Sequence, residues 1–177
     1  IVYAKNQLVS NRSFECLVEG DDAEVAEGLQ AVQMSPAASD GKFRTYRLAM
    51  ACTIEYASFH VNAAGLAGGT LAQKKAAVLA AMNVTMTRVN GLYERDMSLT
   101  MVLVNNNDSV IFVDSDSFDN DNAGTLIAQS QSVIDGIIGS ANYDIGHTVS
   151  TGGGGLASLN SPCTNGKARG ITGSPSP

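Results

Sequence analysis

The 177-residue chain, 44% hydrophobic and 16% charged, has the length and balance of one globular domain with a sizeable core. Its formal net charge of −6 offers no basic footprint with which to displace phosphate counterions, which argues against a nucleic-acid partner. No uninterrupted apolar run approaches the ~18 residues of a membrane span, and no basic start followed by an apolar stretch reads as a signal peptide.

Residues 1–40 differ in character from the rest. The chain opens on Ile1 rather than Met, so an excised fragment or a processed product is expected. An acidic patch at Glu19, Asp21, Asp22 and Glu24 leads into a short helix through Leu29. Ser35, Pro36, Asp40 and Gly41 then signal a loop. This places a boundary between a leading segment, 1–40, and a main domain, 41–177.

From Arg44 to Tyr56 the apolar period is two. Tyr46, Leu48, Met50, Cys52, Ile54 and Tyr56 share one face; Thr45, Arg47, Thr53 and Glu55 share the other, with small Ala49 and Ala51 between them. The pattern predicts one long strand, after which His60 stands exposed at a strand end. Glycines at 65–69 break the chain. Thr70 and Gln73 then fit a capping box, and Val78, Met82, Met86, Val89 and Tyr93 recur at helical spacing, predicting a helix over 71–93. Residues 99–104 form a short apolar run of the kind found in a strand buried on both sides. A polar turn of three asparagines follows, then Val110 to Val113. Asn122 caps a second helix with Leu126, Ile127, Val133, Ile134, Ile137 and Ile138 on its inner face, and Gly139 suits a left-handed C-terminal position. Residues 143–150 are the next strand. This alternation predicts an α/β fold: a three-layer sandwich with a twisted, mixed and mostly parallel sheet of about five strands and two main helices.

The glycine run 152–155 has several readings. Gly152, Gly154 and Ala157 superficially match a dinucleotide-binding fingerprint, but Ser158 to Pro162 promise no helix to face a pyrophosphate. A P-loop also fails, because Ser161 stands at its first glycine and Ala168 replaces the magnesium-holding Ser or Thr. A plain glycine hairpin remains open. Asp114, Asp116, Asp119 and Asp121 concentrate oxygen ligands. An EF-hand fails at its sixth and twelfth positions, leaving either a looser calcium site or a solvated acidic loop. His60 and His147 lie in unrelated segments without partners for zinc, and His147 reads as a packed or hydrogen-bonded strand residue. No G-x-S-x-G nucleophile elbow occurs. The cysteines, Cys16, Cys52 and Cys163, allow at most one internal disulfide, and no C-x-x-C is present. Cys52 reads as a core thiol. A composition sparing in Lys and rich in Asn, Ser, Thr and Gly leans toward an exported protein.

Three stretches carry a resemblance: RTYRLAMACTIEYASF, NVTMTRVNGLYERDMSLTMVLV and NAGTLIAQSQSVIDGIIGSANYDIGHTVSTGGGGLASL. Over residues 42–177 the chain resembles secreted bacterial zinc metallopeptidases of the metzincin, reprolysin-like group. The resemblance implies the upper subdomain of a metzincin-like catalytic domain, with one antiparallel edge strand that hydrogen-bonds an extended polypeptide substrate. Gly154, Gly155, Leu156, Ala157 and Ser158 would form or adjoin that edge. The family's zinc helix carries H-E-x-x-H-x-x-G-x-x-H, which does not occur in this sequence, so no zinc ligand and no catalytic residue is assigned. The expectation is a secreted zinc-dependent endopeptidase truncated before its zinc helix, inactive as this fragment and prone to self-associate. The resemblance also implies that residues 1–40 are a propeptide tail or linker. Cys16 would then be a candidate cysteine switch, and Cys163 a position that pairs in related domains. A noncatalytic binding or adhesion module on the same scaffold is the alternative.

Overall fold

The computed structural model describes residues 41–152 and 154–177. Strand β1 (Arg44–Cys52) is followed by helices α1 (Ile54–Ala63) and α2 (Leu71–Met97) and by β2 (Leu99–Leu103). Helix α3 (Ala123–Ile137) then leads to β3 (Ile145–Ser150), β4 (Gly154–Ala157) and β5 (Gly170–Gly173). The five strands form one sheet in the order β2-β1-β3-β5-β4. Every neighbouring pair is parallel except β4 with β5. The expected α/β sandwich and its antiparallel edge strand are both present.

The alternation in β1 sorts the two faces as its sequence implies. Leu48, Met50 and Cys52 enter one core with Tyr56 and Val61 of α1 and with Val78, Met82 and Met86 of α2. Ala49 and Ala51 face the other side, where Val110, Ile134, Ile138, Tyr143 and Ala168 pack. Small residues on that face let the covering layer approach closely. Helix α2 carries the expected capping box, in which Gln73 N–H donates to the Thr70 hydroxyl and Thr70 N–H to the Gln73 side chain. Asn122 caps α3 by accepting from Thr125 N–H.

Several expectations fail, each for a tertiary reason. The period-two pattern runs to Tyr56, yet the strand stops at Cys52. The Thr53 side chain accepts from Tyr56 N–H, and the Asp116 carboxylate accepts from Ile54 N–H at 2.6 Å, so a helix starts there instead. The described residues thus hold a third, shorter helix beside the two main ones, and His60 sits half-buried on α1. Helix α2 continues to Met97 and ends at Ser98, which takes the left-handed conformation with φ +53°. The run at 99–104 is not buried on both sides: β2 is a sheet margin and Val102 is 54% exposed. Ile137, expected on the inner face of α3, is 43% exposed.

Candidate functional site

The sheet has two margins, and they are built differently. At the β2 margin, Asn90 of α2 donates its side-chain amide to Met101 O at 2.8 Å and accepts from Met101 N–H at 3.0 Å. Beyond the end of β2, the buried side chain of Asn107 treats Met50 of β1 in the same way, at 3.0 and 2.8 Å. Each primary amide stands in for one residue of a further strand. It satisfies backbone groups that would otherwise invite pairing.

Among the described residues, the β4 margin has no such cover. Ser174 gives its N–H to Ser150 O of β3. By the alternation of an extended strand, Thr172 and Gly170 then address β3 while Ile171 and Gly173 address β4. In the register Gly154↔Gly173 and Leu156↔Ile171, the backbone groups of Gly154 and Leu156 therefore turn inward. Ser158 follows the same parity, giving its N–H to Arg169 O at 2.9 Å. The N–H and C=O of Gly155 and Ala157 are left pointing away from the sheet. On the α3 face, Leu156 packs beside Leu126, Ile127 and Ile171, which holds the strand in place.

Close backbone packing explains the glycines at this margin. A methyl group on Gly152 would overlap Asn120 O, and one on Gly173 would overlap Gly152 O. Gly154 has φ +94°, a conformation glycine adopts without penalty. The Asn120 carboxamide oxygen accepts from the Thr53 hydroxyl (2.9 Å), Thr151 N–H (3.0 Å) and the Thr151 hydroxyl (3.2 Å). It thereby ties the end of β1 to the start of the glycine run. The loop joining β4 to β5 is anchored from α3: Gln131 Oε1 accepts from Ala168 N–H at 2.8 Å, and Ser130 Oγ donates to Ala168 O at 2.7 Å.

The other residues singled out by sequence do not assemble with this edge into a metal centre. His147 Nε2 lies 2.9 Å from the Thr172 hydroxyl, and a methyl group on Gly170 would come 2.9 Å from His147 Nδ1. The residue is half-buried, and desolvation pushes its pKa down to about 4. The imidazole is neutral at pH 7 and packs as a strand residue. His60 lies against Tyr56, with ring centroids 4.5 Å apart, and its buried Nε2 has no hydrogen-bond partner. Burial lowers its pKa as well.

In the acidic loop, Asp116 caps α1 and also accepts from Phe118 N–H. Asp114 lies 4.0 Å from Lys74, Asp121 accepts from the Asn120 side chain, and the Asp119 N–H is held by Gln129. No three His, Cys, Asp or Glu side chains among the described residues form a group that can hold a metal ion. Among the described residues the four aspartates are not gathered into such a group, and Asp116 acts as a helix cap. The described residues bring together no set of side chains that fits a zinc ion either. Cys52 is buried, its thiol pushed up to about 12 chiefly by desolvation, while Cys163 is exposed; both are free thiols. Cys16 lies outside the described residues.

Residues 79–177 match the family model of the reprolysin-like metallopeptidases, family M12B. The chain belongs to this family. Among curated proteins none matches it. The matched stretch holds most of α2 and everything from β2 to β5, so the uncovered β4 margin lies within it. Membership of this family supports a protease domain, and a protease family implies polypeptide as the substrate class. Two residues at this margin escaped sequence reasoning. Asn120 lay hidden among the aspartates, where it reads as one more oxygen donor. Arg169 follows a loop with no motif, and its neighbour Ser158 is defined only by strand pairing.

Proposed function

We propose that this chain is the upper part of a secreted zinc-dependent endopeptidase and that β4 binds its substrate. An extended polypeptide pairs with the outward N–H and C=O groups of Gly155 and Ala157, adding a strand to the sheet. Gly154, Gly155, Leu156, Ala157 and Ser158 are the contact residues. Main-chain bonds provide most of the affinity, and the small side chains leave room for a second backbone. The zinc ligands belong to sequence outside these residues, so the 177 residues alone bind peptide weakly and do not hydrolyse it. Residues 1–40 act as a propeptide tail or linker. Self-association of the isolated piece proceeds edge to edge through β4.

The observation that supports this reading is the contrast between margins among the described residues: side-chain amides plug the β2 side, while the backbone of β4 is left open. Hydrogen exchange tests it. An extended peptide should slow exchange at Gly155 and Ala157. Ala157→Pro, which deletes an outward donor, should weaken binding about tenfold, the loss of roughly one net hydrogen bond, with little change in Tm. Protection at β2 instead of β4 would refute the assignment of the edge. For the whole protein, stoichiometric zinc and peptidase activity abolished by a chelator are expected. A full-length protein that binds peptide but carries no zinc would favour a noncatalytic binding module.

A further inference from the structure

At the far end of β4 the chain places a cation whose charge no carboxylate among the described residues answers. Ser158 extends β4 past Ala157, and Arg169 stands opposite it just before β5. The Arg169 Nε–H donates to the Ser158 hydroxyl at 3.1 Å, so the guanidinium is carried across from the β5 side to the side chain of the outermost strand. That bond uses the Nε–H and leaves the terminal nitrogens with spare donors. The backbone beneath is fixed too: Arg169 N–H donates to Gly166 O at 3.0 Å, and Arg169 O accepts from Ser158. Arg169 is half-buried, and among the described residues it forms no ion pair. The neighbouring cations are already engaged. Arg47 pairs with Asp144 at 2.7 Å, and Lys167 donates to Ser140 O while lying 4.5 Å from the centre of the Tyr143 ring.

We infer that Arg169 is a specificity-determining residue which selects substrates carrying an acidic side chain at the position opposite Ser158. This rests on the reading of β4 as the substrate edge. Leu156 and Ser158 project to the same face, because residues two apart on a strand share a side. A substrate strand added to β4 places one side chain beside Ser158 on that face, within reach of the guanidinium fork. A carboxylate there accepts paired N–H bonds in the geometry that guanidinium favours, in a partly desolvated setting where such bonds are strong. A Gln at the same position offers a single neutral acceptor and gains less. Lys at position 169 would keep the charge but lose the fork and the Nε bond to Ser158.

The test is a peptide series cleaved by the full-length protein, with one Glu moved along an otherwise neutral sequence and Gln at the same positions as controls. Wild type should show one position where Glu raises kcat/KM about tenfold over Gln, as expected for a charge-assisted pair. In Arg169→Gln that preference should vanish while kcat/KM for the all-neutral peptide is retained; Arg169→Lys should keep only part of it. A Glu effect that survives Arg169→Gln overturns the inference, as does an equal loss on neutral peptides, which would mark Arg169 as structural. Cleavage indifferent to Glu at every position sinks the acidic preference and leaves the substrate edge standing. Failure to cleave any peptide overturns both.

Discussion

The two margins of this sheet face the same physical problem and meet it in opposite ways. At β2, Asn90 pairs with both backbone groups of Met101, and beyond it Asn107 pairs with both of Met50. At β4 the inward partner is β5, and among the described residues nothing pairs with the outward groups of Gly155 and Ala157. An unpaired edge is a template for strand addition. Among the described residues one margin is closed to it and the other left open, and the proposal that β4 receives peptide rests on that contrast rather than on any catalytic side chain. If β4 is the substrate edge as proposed, such a site needs little side-chain chemistry, because main-chain groups supply the hydrogen bonds in strand addition.

The strongest way to break this contrast is at Asn107. The residue is 2% exposed, and Asn107→Ala would strand the N–H and C=O of Met50 in the core. A loss of about 2–4 kcal/mol is expected from two unsatisfied buried groups, read as a lower urea midpoint. A loss within ~0.5 kcal/mol, typical of a surface change, would show that water replaces the amide and that the plug is dispensable. Asn90 sharpens the comparison, because its removal opens an edge rather than a core. Asn90→Ala should cost about 1 kcal/mol, in line with a partly buried hydrogen-bonded pair. It should also give β2 the property reserved for β4, visible as concentration-dependent dimerisation in sedimentation. A variant that stays as monodisperse as wild type would mean that Asn90 is not what guards this margin.

The smallest effect concerns the footing of the open edge. His147 supports Thr172, the β5 residue opposite Gly155, and its pKa lies near 4 in the folded state against an ordinary 6.5. For a base with a depressed folded pKa, the unfolded chain binds more protons between those values, so stability rises with pH across that window and is flat above it. His60, also lowered by burial, contributes with the same sign. His147→Gln, which can keep the Thr172 bond, should flatten part of the slope of the urea midpoint between pH 4 and 6.5 while changing little at pH 7. An unchanged slope would show that the imidazole titrates freely in the native protein.

Local rules were legible in the sequence wherever a physical period or a cap operates within a few residues. The two faces of β1, the capping box at Thr70 and Gln73, the Asn122 cap and the approximate extents of α2 and α3 follow from spacing alone, because burial of one face imposes it. The parallel order and the antiparallel margin followed from the alternation of elements together with the resemblance carried by long stretches. Other features required partners far along the chain. The switch from strand to helix at Thr53 depends on Asp116, 62 positions away from Ile54, a residue that reads by itself as a calcium ligand. The plugging of one margin depends on asparagines that look like ordinary polar positions in a helix and a turn.

What the sequence by itself determined was the inventory of elements and which face of each is apolar, since periodicity is a property of neighbouring residues. Only the tertiary structure decided which strands lie at the margins, which backbone groups stay open, and where Arg169 comes to rest, because strand order and register arise from contacts between segments that sequence spacing does not encode.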